Sequence, residues 1–194
     1  MIQTKHNQTG FALLMTLLVV AVVVSITLAV IELSIKQLSL SVTAKDSEIA
    51  FHAANAGMEC IRYARRAASS SLETGVNSVG FDCFEQNQDL DRQAHGLTEN
   101  GGDGEIYRYR GEVTWGTNDR CSVIDMVVMV VPDTEVADME IPDLFEVFTG
   151  YPQTETKTCS PGARCTVAEV IGFNRSCADK TLPGTVRREI LLEF

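Results

Sequence analysis

The sequence predicts an α+β protein. A long N-terminal helix, membrane-spanning in its first half and amphipathic in its second, packs on an antiparallel β-sheet C-terminal domain. Three observations predict it. Phe11 to Ile31 is an uncharged run of 21 residues, and roughly 20 apolar residues suffice to cross a bilayer as a helix. No Gly and no Pro interrupts Phe11 to Ala56, and the first Pro of the chain is Pro132. Beyond that stretch come short segments with strand periodicity, separated by turn residues. The expected division is a leader at 1–10, a long helix at 11–68 with its transmembrane part at 11–31, and an extracytoplasmic β-rich domain at 69–194.

The apolar run is the first element to justify. A secretory signal has a shorter apolar core, about 7–15 residues, ending in small residues at a cleavage site. Here the run continues into Ile31-Glu32-Leu33-Ser34-Ile35-Lys36, which has no such site. The segment therefore reads as a retained single pass. Lys5 and His6 precede it and Lys36 and Lys45 follow it, so the positive-inside count does not set the orientation. The short polar leader favours an inside N-terminus. So do the cysteines: all six lie beyond the run, and an even number in an exported domain is a disulfide expectation.

After Glu32 the helix becomes amphipathic. Ile31, Ile35, Leu38, Val42, Ile49, Ala53, Gly57, Ile61 and Ala64 recur at helical spacing. Lys36, Lys45, Asp46, Glu48, Glu59, Arg62 and Arg66 fall on the other side. Ser69-Ser70-Ser71 and Gly75 mark the exit. From Phe11 to Ala68 such a helix measures about 87 Å at ~1.5 Å per residue. The stripe has to pack against something. Ala50, Ala53, Ala54, Ala56 and Gly57 suit close approach either to a neighbouring helix or to the chain's own sheet.

The rest reads as one domain. Residues 69–80, 86–89 and 99–104 are loop-like in composition. Tyr107, Tyr109, Gly111, Val113 and Trp115 alternate with polar residues, as a half-buried strand does. Gly116 to Asp119 turns the chain into Cys121 to Val131, apolar enough to be central. Further strands are expected at Leu144 to Phe148, at Cys165 to Phe173 and at Val186 to Phe194. In the last, Val186, Arg188, Ile190, Leu192 and Phe194 share a face.

Charge and motifs exclude several functions. The chain carries 26 Asp and Glu against 16 Lys and Arg. Between Phe81 and Thr158 there are seventeen acids against five cations, a poor surface for phosphate backbones, so no nucleic-acid partner is expected. Solubility accounts for the acids. The sharper alternative is a Ca²⁺ site of Asp82, Glu99, Asp103 and Glu105, although their spacing matches no EF-hand loop. The three His fall on the leader, the helix and a loop, and there is no G-x-S-x-G, H-E-x-x-H or P-loop. No catalysis, cofactor or metal is expected. Asn174-Arg175-Ser176 fits a glycosylation sequon, a match that short sequences meet by chance.

Two stretches together carry a resemblance. Gly10-Phe11-Ala12-Leu13-Leu14 opens the apolar helix behind a short polar leader, and Ala50-Phe51-His52-Ala53-Ala54-Asn55-Ala56-Gly57-Met58-Glu59 lies near its other end. The layout resembles type IV prepilins, closest to minor pilins with a PilX-type N-terminal segment, and the related pseudopilins of type II secretion. It covers about residues 8 to 65. Asn55 stands where the family's A-F-x-A-A-E-A-G pattern has Glu. The resemblance implies cutting between Gly10 and Phe11 by a prepilin peptidase and methylation of the new Phe11 amino group. It further implies passage from the cytoplasmic membrane, by way of the pilus assembly platform, into a filament of other pilins or pseudopilins at the cell surface or in the periplasm. Filament-building pilins carry Glu at the fifth mature position, which here is Met15. That implies a minor, tip or initiating subunit rather than the repeating one. The other readings are an anchored adhesive or ligand-binding domain that enters no filament, and an anchored enzyme.

Six cysteines allow fifteen full pairings. Cys60–Cys83 would tie the exit loop back to the helix, Cys159–Cys165 would close the turn at Pro161-Gly162, and Cys121 would be left for Cys177.

Overall fold

The described residues form a long helix and a short one, a six-stranded antiparallel sheet and a small second sheet. The structure, a computed structural model, describes residues 9–97, 104–116 and 120–194. Residues 1–8 of the expected leader, Glu99 and Asp103 of the Ca²⁺ candidate, and Thr117 to Asp119 of the expected turn lie outside the described residues. The elements run in the order α1 (Thr9–Ala67), α2 (Ser69–Glu73), β1 (Ser78–Cys83), β2 (Gln86–Gln93), β3 (Glu105–Trp115), β4 (Arg120–Val130), β5 (Met139–Ile141), a 3-10 turn (Leu144–Glu146), β6 (Lys157–Cys159), β7 (Arg164–Phe173) and β8 (Arg187–Glu193). The chain divides into two compact units, residues 1–45 and 46–194.

In the first unit α1 is long and apolar enough to cross a membrane, and protein buries none of that stretch. Several of its hydroxyl groups are satisfied within the helix. Ser25 donates to the Ala21 carbonyl (2.6 Å), Thr27 to Val23 (2.8 Å) and Ser34 to Val30 (2.9 Å). Back-bonding of this kind lets a polar side chain sit in an apolar helix without an orphan group. Ile35, Leu38 and Val42 are also exposed. The amphipathic stripe therefore starts to bury on this chain's own sheet only past residue 45, not at Glu32 as its periodicity suggested.

In the second unit the sheet order is β1-β2-β3-β4-β7-β8, every neighbouring pair antiparallel. The last turns of α1 cover one face. Ala54, Met58, Ile61 and Ala64 pack with Tyr109, Ile124, Met126, Val128, Ala168 and Val170. The small residues make this contact close. A Cβ on Gly172 of β7 would run into the backbone of Ala50, Ala53 and Ala54, and one on Gly57 into Val170 and Ser122. Ser122 then donates to the Ala53 carbonyl at 2.6 Å. Ala50, Ala53 and Ala54 are fully buried, while Ala56 is partly exposed. Of the two uses open to the small residues, packing on the chain's own sheet is the one seen.

The β4–β7 connection covers the opposite face. Met139, Ile141, Leu144, Phe148, Tyr151 and Cys159 pack on Ile106, Val127, Met129 and Val167. Strand β4 is thus buried on both faces, which is why it reads as a continuous apolar run.

Three expectations are corrected. Residues 78–80 and 86–89, loop-like in composition, belong to the β1–β2 hairpin, and the Ser run at 69 forms the single turn α2. The expected strand at Leu144 to Phe148 is a 3-10 turn; its apolar side chains pack downward from a covering segment rather than alternate along a strand. Short strands β5 and β6 carry pairing there instead.

Candidate functional site

Four places carry chemistry worth testing as sites: the Gly10–Phe11 bond, the disulfides, a depression beside β3, and a charged band on the far face of the sheet.

Gly10 and Phe11 lie on α1, whose helix is continuous from Thr9. Phe11 is exposed, as is Met15. From Phe11 the first charged residue is Glu32, so Met15 and its neighbours place no ionised group along the apolar segment.

The cysteines form three bridges. Cys60 of α1 bonds Cys83 at the end of β1 (Cα–Cα 5.7 Å), fixing the edge hairpin to the helix. Cys121 at the start of β4 bonds Cys177 in the β7–β8 connection (4.8 Å). Cys159 of β6 bonds Cys165 of β7 (6.0 Å), holding the small sheet against the large one. These are the pairs the spacing favoured. Glu112 lies close to Cys121 and Cys177 in a metal-like grouping, but the two sulfurs are spent on each other and offer no thiolates.

A depression of about 640 Å³ is lined by Arg92, His95, Leu97, Gly104, Glu105, Ile106 and Tyr107. Its polar groups have structural duties. The Arg92 guanidinium lies 4.9 Å over the Tyr107 ring and donates to the Gly75 carbonyl at 2.7 Å. The Tyr107 hydroxyl donates to Glu105, and that bond, followed by burial, pushes its pKa up to about 12. His95 Nε2 sits 3.0 Å from the Ile106 carbonyl. Glu105 is here, while Asp82 is on β1 and does not line this depression.

The charged band crosses the far face of the sheet. Arg108 of β3 donates to Asp125 of β4 through Nε (2.9 Å) and Nη2 (2.6 Å). This two-point pairing holds the guanidinium pKa above its ordinary value. Glu169 of β7 stands directly across from Asp125. Only 5 % exposed, it accepts from Thr149 Oγ1 (3.3 Å) and the Gly150 amide (3.4 Å). Burial pushes its pKa up to about 7, helped by a hydrogen bond to Glu189 of β8 and by that residue's charge. Further along β8, Glu193 pairs with Lys157 at 2.7 Å. The Tyr151 hydroxyl bonds Glu193 as well; burial first, then this bond, raises its pKa. Sequence reasoning passed over Glu169 and Asp125. The signal was present: each is the one acid inside an otherwise apolar strand.

No family model, curated protein or solved structure matches the chain.

Proposed function

We propose that this chain is, in class, a single-pass membrane protein with its disulfide-bonded sheet domain outside the cytoplasm. More particularly, we propose a minor subunit, tip or initiating, of a type IV pilus or a type II secretion pseudopilus. The observation that carries this reading is one continuous helix, Thr9–Ala67, with two different surfaces. Its first part is apolar and buried by no protein among the described residues. Its last part is locked onto the sheet by small residues and by Cys60–Cys83. An apolar helix freed of a polar leader leaves lipid only for another apolar environment, and a bundle of related helices supplies one. Met15 offers no carboxylate to pair with a neighbour's amino terminus, which favours a rare position over a repeating one. The partners on this reading are the prepilin peptidase, other pilins or pseudopilins and the assembly platform. Three disulfides fit an oxidising compartment.

The test is the mature N-terminus. Mass spectrometry of the protein from membranes that contain a prepilin peptidase should find a chain starting at a methylated Phe11, and Gly10→Val should keep the leader attached. An uncut chain favours the alternative, an anchored adhesive or ligand-binding domain outside any filament. In purified filaments the protein should be scarce; finding it as the dominant subunit overturns the minor role.

A further inference from the structure

The sheet face turned away from α1 carries a band of charged side chains beside its apolar clusters, of which those on β3, β4, β7 and β8 matter here. Arg108 and Arg110 come from β3, Asp125 from β4, Glu169 from β7, and Arg187, Glu189 and Glu193 from β8. The partners are unevenly shared. Asp125 takes Arg108 at two points and Glu193 takes Lys157. Glu169 has no ion pair among the described residues. Its hydrogen bonds come from the Thr149 hydroxyl and the Gly150 amide, and the carboxyl of Glu189 stands beside the same glycine. Gly150 lies directly on this pair: a Cβ there would meet Glu189 Oε1, with Glu169 Oε1 4.0 Å away. Two carboxyl groups from adjacent strands thus meet beneath the segment that crosses them, and β8 is the edge strand of the sheet.

We propose that β8 is held in place by a proton shared between Glu169 and Glu189, so that its seating on β7 depends on pH. With the proton present, one carboxyl donates to the other and β8 is drawn to β7 under residues 149–151. When the proton leaves to solvent, two carboxylates face each other beside Asp125, and Arg108, the cation whose field reaches Glu169, is already committed to Asp125. Repulsion then falls on an edge pairing, because β8 is bonded on one side only. A carboxyl whose folded pKa is raised contributes stability that is complete below its ordinary range near 4.5 and is lost as pH rises through about 7. Loosening β8 leaves β7 as an open edge, whose amide and carbonyl groups are free to pair with another chain.

Hydrogen–deuterium exchange of the full chain in detergent micelles tests this. Rates are compared at about pH 5 and about pH 8 after correction for intrinsic exchange. The amides of β8 should be at least about tenfold less protected at the higher pH, with those of β3 and β4 unchanged. Glu169→Gln keeps a hydrogen-bonding group without a charge and should abolish the difference. Glu189→Gln, at an exposed position where folding is not at stake, should do the same. Equal β8 protection of the native chain at both pH values overturns the proposal, and so does an unchanged pH difference in the two variants.

Discussion

Within α1, residues 11–45 and residues 46–67 are built for opposite neighbours. The first stretch points Leu, Val, Ile and Phe side chains outward on every side, each about half exposed or more. The second buries one side only, where Met58, Cys60 and Ile61 alternate with Ala50, Ala53, Ala54, Gly57 and Ala64, residues with almost nothing to bury. Apolar area alone would rank the two the other way. What the second stretch gains is proximity: small side chains bring its backbone against Gly172 and let Ser122 reach the Ala53 carbonyl. Large side chains on all sides suit a fluid or repeating apolar environment. Small ones on one side suit a single fixed partner.

The contrast breaks first at its tightest point. Gly172→Val places side-chain carbons in the helix backbone, so the domain should lose about 3 kcal/mol or more. A thermal melt of the full chain in detergent should show a large fall in Tm, and a melt within a few degrees of the native one would mean the helix is not held as described. Next, replacing Cys60 and Cys83 together by Ser frees a closure with a sequence separation of 23 residues. The chain-entropy cost is about 3 kcal/mol, read as a lower midpoint in chemical denaturation with the slope little altered. The first stretch is insensitive to both changes and vulnerable to another. Val20→Lys puts a charge in the middle of the uncharged run, at about 2.5–3.5 kcal/mol on insertion scales. The membrane-bound fraction should drop, as membrane fractionation will read. The smallest effect sharpens the contrast: Leu18→Ala, 54 % exposed, should leave the domain's midpoint within about 0.5 kcal/mol, whereas a Leu→Ala change in a core costs about 2–5 kcal/mol.

Much of the fold could be read in advance where a pattern had one physical meaning. A run of this length without Gly, Pro or charge suits little besides a long apolar helix. Alternation over 107–115 and near-continuous apolarity over 121–131 correctly separate a half-buried strand from a central one. The β1–β2 hairpin was hidden for a physical reason. Gln86-Asn87-Gln88-Asp89-Leu90-Asp91-Arg92-Gln93 has Leu90 as its lone apolar residue, so the strand is held by its neighbours and by Cys60–Cys83, not by its own periodicity. Its turn carries no warning either. Phe84 (φ 52°) and Glu85 (φ 61°) both occupy the left-handed region, where Asn-Gly or Asp-Gly is the usual signature. At 144–148 a short apolar run misled, since such runs do not distinguish a strand from a packed turn. For the charged band, lone acids at Asp125 and Glu169 marked a buried polar feature, but nothing short of the register showed that they stand side by side across β4 and β7.

The Cys60–Cys83 bond also has a mechanical side. It gives tension two routes from helix to sheet: the backbone through residues 61–82, and a sulfur bridge that bypasses them. A pull along α1 reaches β1 by the shorter route. The intervening segment, α2 included, then bears no load and contributes no slack, and the chain cannot lengthen there by unravelling. A chain pulled by its helix would pass the force straight into the edge of its sheet, and adding a reductant would restore the missing length.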